Sequence, residues 1–142
     1  MSISFNIEDQ NFTLKSKLKI RSWIIKIINL YSKKSGSINF IFVSINEIIE
    51  INNTYLKHYY PTDIITFDYC TNNIISGDIF ICSEIVFKNS VLYNTTREDE
   101  MNRVIIHGIL HLIGFNDSSE QEQLIMRSKE DEALNIFKTS QF

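Results

Sequence analysis

At 142 residues, 44% of them hydrophobic and 22% charged, the chain has the size and composition of one folded domain, and neither disorder nor a fibrous repeat fits it. A net charge of −3 excludes a bulk polycation, although residues 1–57 carry net +4 and residues 58–142 net −7, which leaves room for a local basic surface near the N-terminus. The cysteines Cys70 and Cys82 form no C-x-x-C pair and no framework of the kind that staples small secreted domains, so both are expected as reduced core thiols.

The first residues, MSISFNIEDQNF, have neither a basic segment nor a long apolar run, and no later stretch offers about eighteen uncharged apolar residues. The expectation is a soluble, cytoplasmic protein with no membrane span. Residues 2–7 alternate and read as a strand, as do residues 37–43 (SINFIFV), which are β-branched and aromatic. Between them, Leu18, Trp23, Ile24, Ile27, Ile28 and Tyr31 recur at helical spacing and predict a helix over residues 14–34, stopped by Ser35 and Gly36. Lys15, Lys19, Lys26 and Lys33 then fall on one side of that helix, as a solvated face or as a stripe that attracts phosphate.

Residues 46–56 read as a helix capped by Asn46 and kept from extending by Pro61. Residues 63–69 and 78–82 read as strands joined by a hairpin-like connection through Asn72, Asn73 and Gly77. Three helices follow, over residues 83–92, 97–113 and about 120–137. The second is capped by Thr95 or Thr96, carries Glu98, Asp99 and Glu100 in its first turn, and is ended by Gly114. No internal repeat or linker interrupts the series. The fold class is α+β, a single domain over residues 1–142, with a mixed sheet of about four strands packed with about five helices.

The segment that carries chemistry is residues 107–117, HGILHLIGFND. His107 and His111 are i and i+4, so on the long helix near residues 97–113 their imidazoles share one face and can bind one metal. Only three histidines exist in the chain, and two of them occupy this spacing in an otherwise apolar stretch. Satisfied core histidines are the competing reading, but Ile, Leu and Gly side chains offer an imidazole no partner. Gly114 permits the chain to turn back, and Asp117 is the nearest group able to supply a third ligand, with Asn116 and Glu120 as competing oxygens. In zinc peptidases of the H-E-x-x-H type a glutamate follows the first histidine as general base. Here that position is Gly108, which disfavours proteolysis and leaves metal-dependent hydrolysis of another substrate.

These residues are similar to a known family. HGILHLIGF over residues 107–115 matches the signature of the YbeY family throughout, Ile51 to Leu56 and Pro61 to Phe67 resemble its second landmark, and Gly77-Asp78-Ile79 its third. The resemblance covers nearly the whole chain. It implies a metal-dependent hydrolase, a single-strand-specific endoribonuclease acting in rRNA maturation at the 3′ end of 16S rRNA and in ribosome quality control. The implied partners are single-stranded rRNA and the small ribosomal subunit, and the implied cofactor is one Zn2+ held by His107, His111 and Asp117, which would form the catalytic centre.

Two departures follow from the same comparison. Most members end the signature with Asp-His where this chain has Asn116-Asp117, so a carboxylate replaces an imidazole and another divalent metal becomes admissible. Leu56 stands where many members carry an arginine thought to meet phosphate, and Lys57, His58 or Arg103 are the candidates to replace it in binding substrate. The alternative function is a ribosome-assembly factor whose metal is structural and whose nuclease activity is weak or absent.

Overall fold

The computed structural model of the chain describes residues 2–142. Its elements run β1 (Ile3–Ile7), α1 (Lys17–Leu30), β2 (Lys34–Val43), α2 (Ile45–Leu56), β3 (Ile64–Asp68), β4 (Ile74–Cys82), α3 (Ser83–Leu92), α4 (Arg97–Ile113) and α5 (Glu120–Thr139). The strands form one mixed sheet in the order β1-β2-β4-β3, so β3 is an edge. β1 pairs parallel to β2 and β2 parallel to β4, while β3 and β4 form the antiparallel hairpin expected from their turn residues. This is the expected α+β architecture of four strands and five helices.

Strand alternation divides the apolar side chains between two faces. Phe40, Phe42, Ile79 and Ile81 point into the larger core with Trp23, Ile24 and Ile28 of α1, Ile105 and Ile109 of α4, and Phe137 of α5. Trp23 is fully buried and its indole Nε1–H donates to the Ala133 carbonyl at 2.8 Å, which ties α1 to α5. On the other face, Val43, Ile65 and Cys82 pack with Ile48 under α2. Cys82 is buried and Cys70 partly so, and both are free thiols.

Several boundaries differ from the sequence expectations. The first helix begins at Lys17 and ends at Leu30, not over residues 14–34, because Ser16 and Ser32 adopt the left-handed conformation on either side of it. Leu14 is buried without being helical, whereas Leu18, assigned to the apolar stripe, is 76% exposed and Ile20 takes its place. Ser35 and Gly36 do not stop the helix but lie inside β2. The lysine stripe therefore breaks up, with only Lys19 and Lys26 of the four on α1, each set over an aromatic ring, Phe137 and Phe142 respectively. The cap of α2 is Ser44 rather than Asn46. Its hydroxyl accepts from the Glu47 N–H, and the Glu47 carboxylate reaches back to the Ser44 N–H, a reciprocal pair that an Asn46 cap could not form. Gly77 belongs to β4, not to the turn, which is made by Asn72 in the left-handed region.

Thr96 caps α4 by accepting from the Asp99 N–H at 3.0 Å, and Gly114 ends it at φ 127°, where a side chain would be strained. α4 lies close to the sheet because Gly77 and Gly108 leave room. A methyl group at Gly108 would meet Ile64 and Ile79 at 3.1 Å, and one at Gly77 would run into the Phe67 carbonyl oxygen. Among the described residues, no helix is long and apolar enough to cross a membrane.

Candidate metal centre

The C-terminal half of α4 presents His107 and His111 on the side turned toward edge strand β3. Their rings sit with centroids 4.7 Å apart at 79°, the edge-on arrangement that i, i+4 spacing produces. After Gly114 the chain folds back and delivers Asp117, whose Oδ2 lies 3.3 Å from His107 Nε2 and 3.3 Å from His111 Nε2. The Asp117 carbonyl accepts from Gln123 Nε2 at 3.0 Å, which ties the loop to the first turn of α5. The donor atoms of His107, His111 and Asp117 all lie within 4.8 Å of one another. Two imidazole nitrogens and one carboxylate oxygen, all half-buried and converging on one point, form a donor set suited to a divalent cation, so the residues present fit the implied metal.

Behind His107, the Nδ1 atom lies 2.6 Å from Glu130 Oε2 of α5. Glu130 Oε1 accepts from Arg103 Nη1 at 2.9 Å, and Arg103 Nη2 donates to Asp131 at 2.7 Å. Burial favours the neutral form of His107, but the Glu130 hydrogen bond and charge, joined by Asp117 and Asp63, hold its pKa above the ordinary histidine value. Burial likewise lowers Arg103, and its bonds to Glu130 and Asp131 more than restore it. Asp63 and Glu100 have carboxyls raised above the usual range by burial, offset in part by His107 and by Arg103 respectively.

Two clefts open beside the centre and share Asp63, Ile64, His107 and Asp117 as a common wall. One, about 460 Å³, runs along β3 past Leu56, Thr66 and Asp68 to His111 and Asn116. The other, about 420 Å³, lies between α4 and α5 and is lined by Glu100, Arg103, Arg127 and Glu130. A smaller apolar hollow of about 330 Å³ at Phe12, Phe87 and Phe137 lies away from this chemistry.

A sequence model of the family described as Endoribonuclease YbeY matches residues 3–138. The chain belongs to the YbeY family. Among YbeY relatives, the Endoribonuclease YbeY of Bacteroides fragilis is 45% identical over 138 residues, covering 97% of this chain and 99% of that protein. That of Parabacteroides distasonis is 44% identical over 136 residues, covering 96% of each chain. That of Flavobacterium psychrophilum is 42% identical over 139 residues, 98% of this chain and 99% of the relative. A solution structure of a Thermotoga maritima protein shares the fold at a TM-score of 0.68 and 26% identity, covering 96% of this chain and 89% of that one.

The structure brings His107, His111 and Asp117 together. Of the competing oxygens, Asn116 lines the β3 cleft, while Glu120 is exposed at the start of α5. Lys57 closes α2 in a left-handed conformation and is exposed, and His58 is stacked on Tyr60 at 5.2 Å, with Nδ1 3.1 Å from the Tyr60 hydroxyl. Neither is among the residues lining the two clefts. Arg103 lines the cleft between α4 and α5, with its guanidinium engaged by Glu130 and Asp131. Sequence reasoning missed Glu130. Its signal was a carboxylate on the buried stripe Met126, Glu130, Ala133, Leu134 and Phe137, where helical spacing calls for an apolar residue.

Proposed function

We propose that the chain is a metal-dependent endoribonuclease that cleaves single-stranded RNA during rRNA maturation, acting as one unit over residues 1–142. In this reading His107, His111 and Asp117 are the catalytic ligand set for one zinc ion, and the small ribosomal subunit in the cytoplasm supplies the substrate. The observation that carries the reading is the convergence of the donor atoms of His107, His111 and Asp117 in a chain of the YbeY family.

When bound, a divalent cation supplies Lewis-acid polarisation of a phosphodiester oxygen and draws the pKa of water toward neutrality. The protein's own groups set the conditions. Asp117 contributes a carboxylate oxygen, and the half-buried imidazoles of His107 and His111 direct their Nε2 atoms toward the same point. Ile64 and Leu112 supply the apolar part of the cleft wall beside it. In the cleft between α4 and α5 the arginine best placed to meet a phosphate is Arg127, with 57% of its side chain exposed, because the Arg103 guanidinium is engaged by Glu130 and Asp131. Lys57 and His58 stand on the loop leading into β3 and remain candidates for holding RNA that enters along this edge.

A second reading is favoured by the β3 cleft itself. Among the described residues that line it, Leu56 and the acidic Asp63, Asp68 and Asp117 appear, and no Lys or Arg does. A structural metal in a ribosome-assembly factor with little nuclease activity would suit such a wall.

The deciding experiment purifies wild type and His111→Ala without a tag, quantifies bound metals, and incubates both with single-stranded and duplex rRNA fragments. The first reading expects cleavage of the single-stranded fragment that needs metal and is lost in the variant. Stoichiometric metal without cleavage, with a variant that unfolds, would establish the second reading, and protein free of metal after chelator-free purification would refute both.

A further inference from the structure

The contacts behind His107 continue beyond the ligand set into a chain of charge-assisted hydrogen bonds. We propose that Glu130 is a positioning residue for the metal centre and that Arg103 acts through it as a strut, an inference that rests on the metal reading above. The first link is the 2.6 Å contact between His107 Nδ1 and Glu130 Oε2. Nδ1–H donates to the carboxylate, so the neutral ring keeps its lone pair on Nε2, the nitrogen that faces Asp117 and stands beside His111 Nε2. Without that acceptor the ring is free to place its proton on Nε2, where it closes the site to a cation.

The second link explains why Glu130 itself does not move. Its side chain is only 7% exposed, and a buried carboxylate is stable only when its oxygens are paired. Oε2 is occupied by His107, and Oε1 accepts from Arg103 Nη1 at 2.9 Å. The other end of the guanidinium is fixed by Asp131 at 2.7 Å, so one planar group grips two adjacent carboxylates of α5. Arg127 adds a looser contact to Oε1 at 4.0 Å. The ring orientation of His107 on α4 is thus set by α5, which the ligand motif does not include.

A plain structural ion pair between α4 and α5 makes a different prediction, a loss of stability with unaltered metal affinity in the folded protein. The test uses the full chain stripped of metal, with Zn2+ affinity read by competition against a chromophoric chelator and folding checked by circular dichroism. Glu130→Ala is expected to weaken Zn2+ binding by about 10- to 100-fold with a native spectrum. Glu130→Gln, whose amide oxygen still accepts from Nδ1–H, should lose less, and Arg103→Met less than Glu130→Ala. The double variant Glu130→Ala with Arg103→Met should bind no more weakly than Glu130→Ala alone, because Arg103 acts only through Glu130.

Glu130→Gln keeps the side-chain volume and carries the test if the alanine variant fails to fold. Unchanged Zn2+ affinity in the folded Glu130 variants, or additive losses in the double variant, would overturn the proposal. In that event a His111→Ala variant that still loses Zn2+ leaves the metal centre standing. A wild type that binds no Zn2+ would remove the metal reading and this inference together.

Discussion

In the candidate centre Asp117 places a carboxylate oxygen beside the imidazole nitrogens of His107 and His111. Replacing Asp117 with histidine leaves three nitrogens for the cation. Carboxylate oxygen favours harder ions such as Mn2+, whereas imidazole favours Zn2+. Asp117→His is therefore expected to retain Zn2+ and to lower the Mn2+-to-Zn2+ affinity ratio by about tenfold, roughly 1.4 kcal/mol, as measured by competitive metal loading. An unchanged ratio would show that Asp117 is not a ligand. Glu100 offers a second residue-scale test, in the metal-free protein. Burial holds its carboxyl above the ordinary value, with Arg103 pulling the other way. A carboxyl whose folded pKa exceeds the unfolded one destabilises the fold only when ionised: the cost is absent below the unfolded value of about 4.3, grows as pH rises through the folded value, and is complete above it. Glu100→Gln should thus raise the melting temperature at pH 7 and lose that advantage as pH falls toward 4. At this scale the His107 and His111 pair was legible from its i, i+4 spacing on one helix. The spacing left Asp117, Asn116 and Glu120 in competition, and it is the fold-back after Gly114 that brings Asp117 to the two imidazoles. Glu130 was not legible, since its meeting with His107 depends on how α5 packs against α4.

Between elements, the decisive contact is the close approach of α4 to β4 and β3, which sets how near the histidines stand to the edge strand. Gly77 lies in β4 directly beneath Leu112 of α4 and beside the Phe67 carbonyl of β3. An added methyl group must move the hairpin or the helix. Gly77→Ala is expected to cost about 1–3 kcal/mol in denaturant unfolding, the usual penalty of overpacking, and a loss under about 0.5 kcal/mol would mean that the interface is slack. Most elements could be read from the chain because their caps and periods agree, as with Thr96 and Gly114 around α4. The first helix shows where such reading fails. Leu14 is apolar and correctly spaced, yet it is buried from an irregular segment, and only the left-handed turn at Ser16 decides that the helix has not begun. Hydrophobic period reports burial, and burial is shared by helix and loop wherever a loop crosses the core.

Across the whole molecule, the candidate centre joins parts of the chain that the sheet does not hold directly. His107 and His111 belong to α4, Asp117 to the connecting loop, and Glu130 binds the assembly to α5, which packs on α1 through Trp23 and Phe137. A cation held there binds the folded chain and finds no such arrangement in the unfolded one, so occupancy adds directly to folding stability. With Zn2+ at about 100 times its dissociation constant, the gain is about 2.7 kcal/mol. For a chain of this length each kcal/mol moves the midpoint by about 2–4 °C, so zinc is expected to raise the melting temperature by roughly 5–10 °C, and excess chelator to reverse the rise. The shift should vanish in His111→Ala, which keeps the surrounding packing but lacks one ligand. A shift of equal size in that variant would place the stabilising ion elsewhere on the surface and separate the thermal effect from the centre on α4.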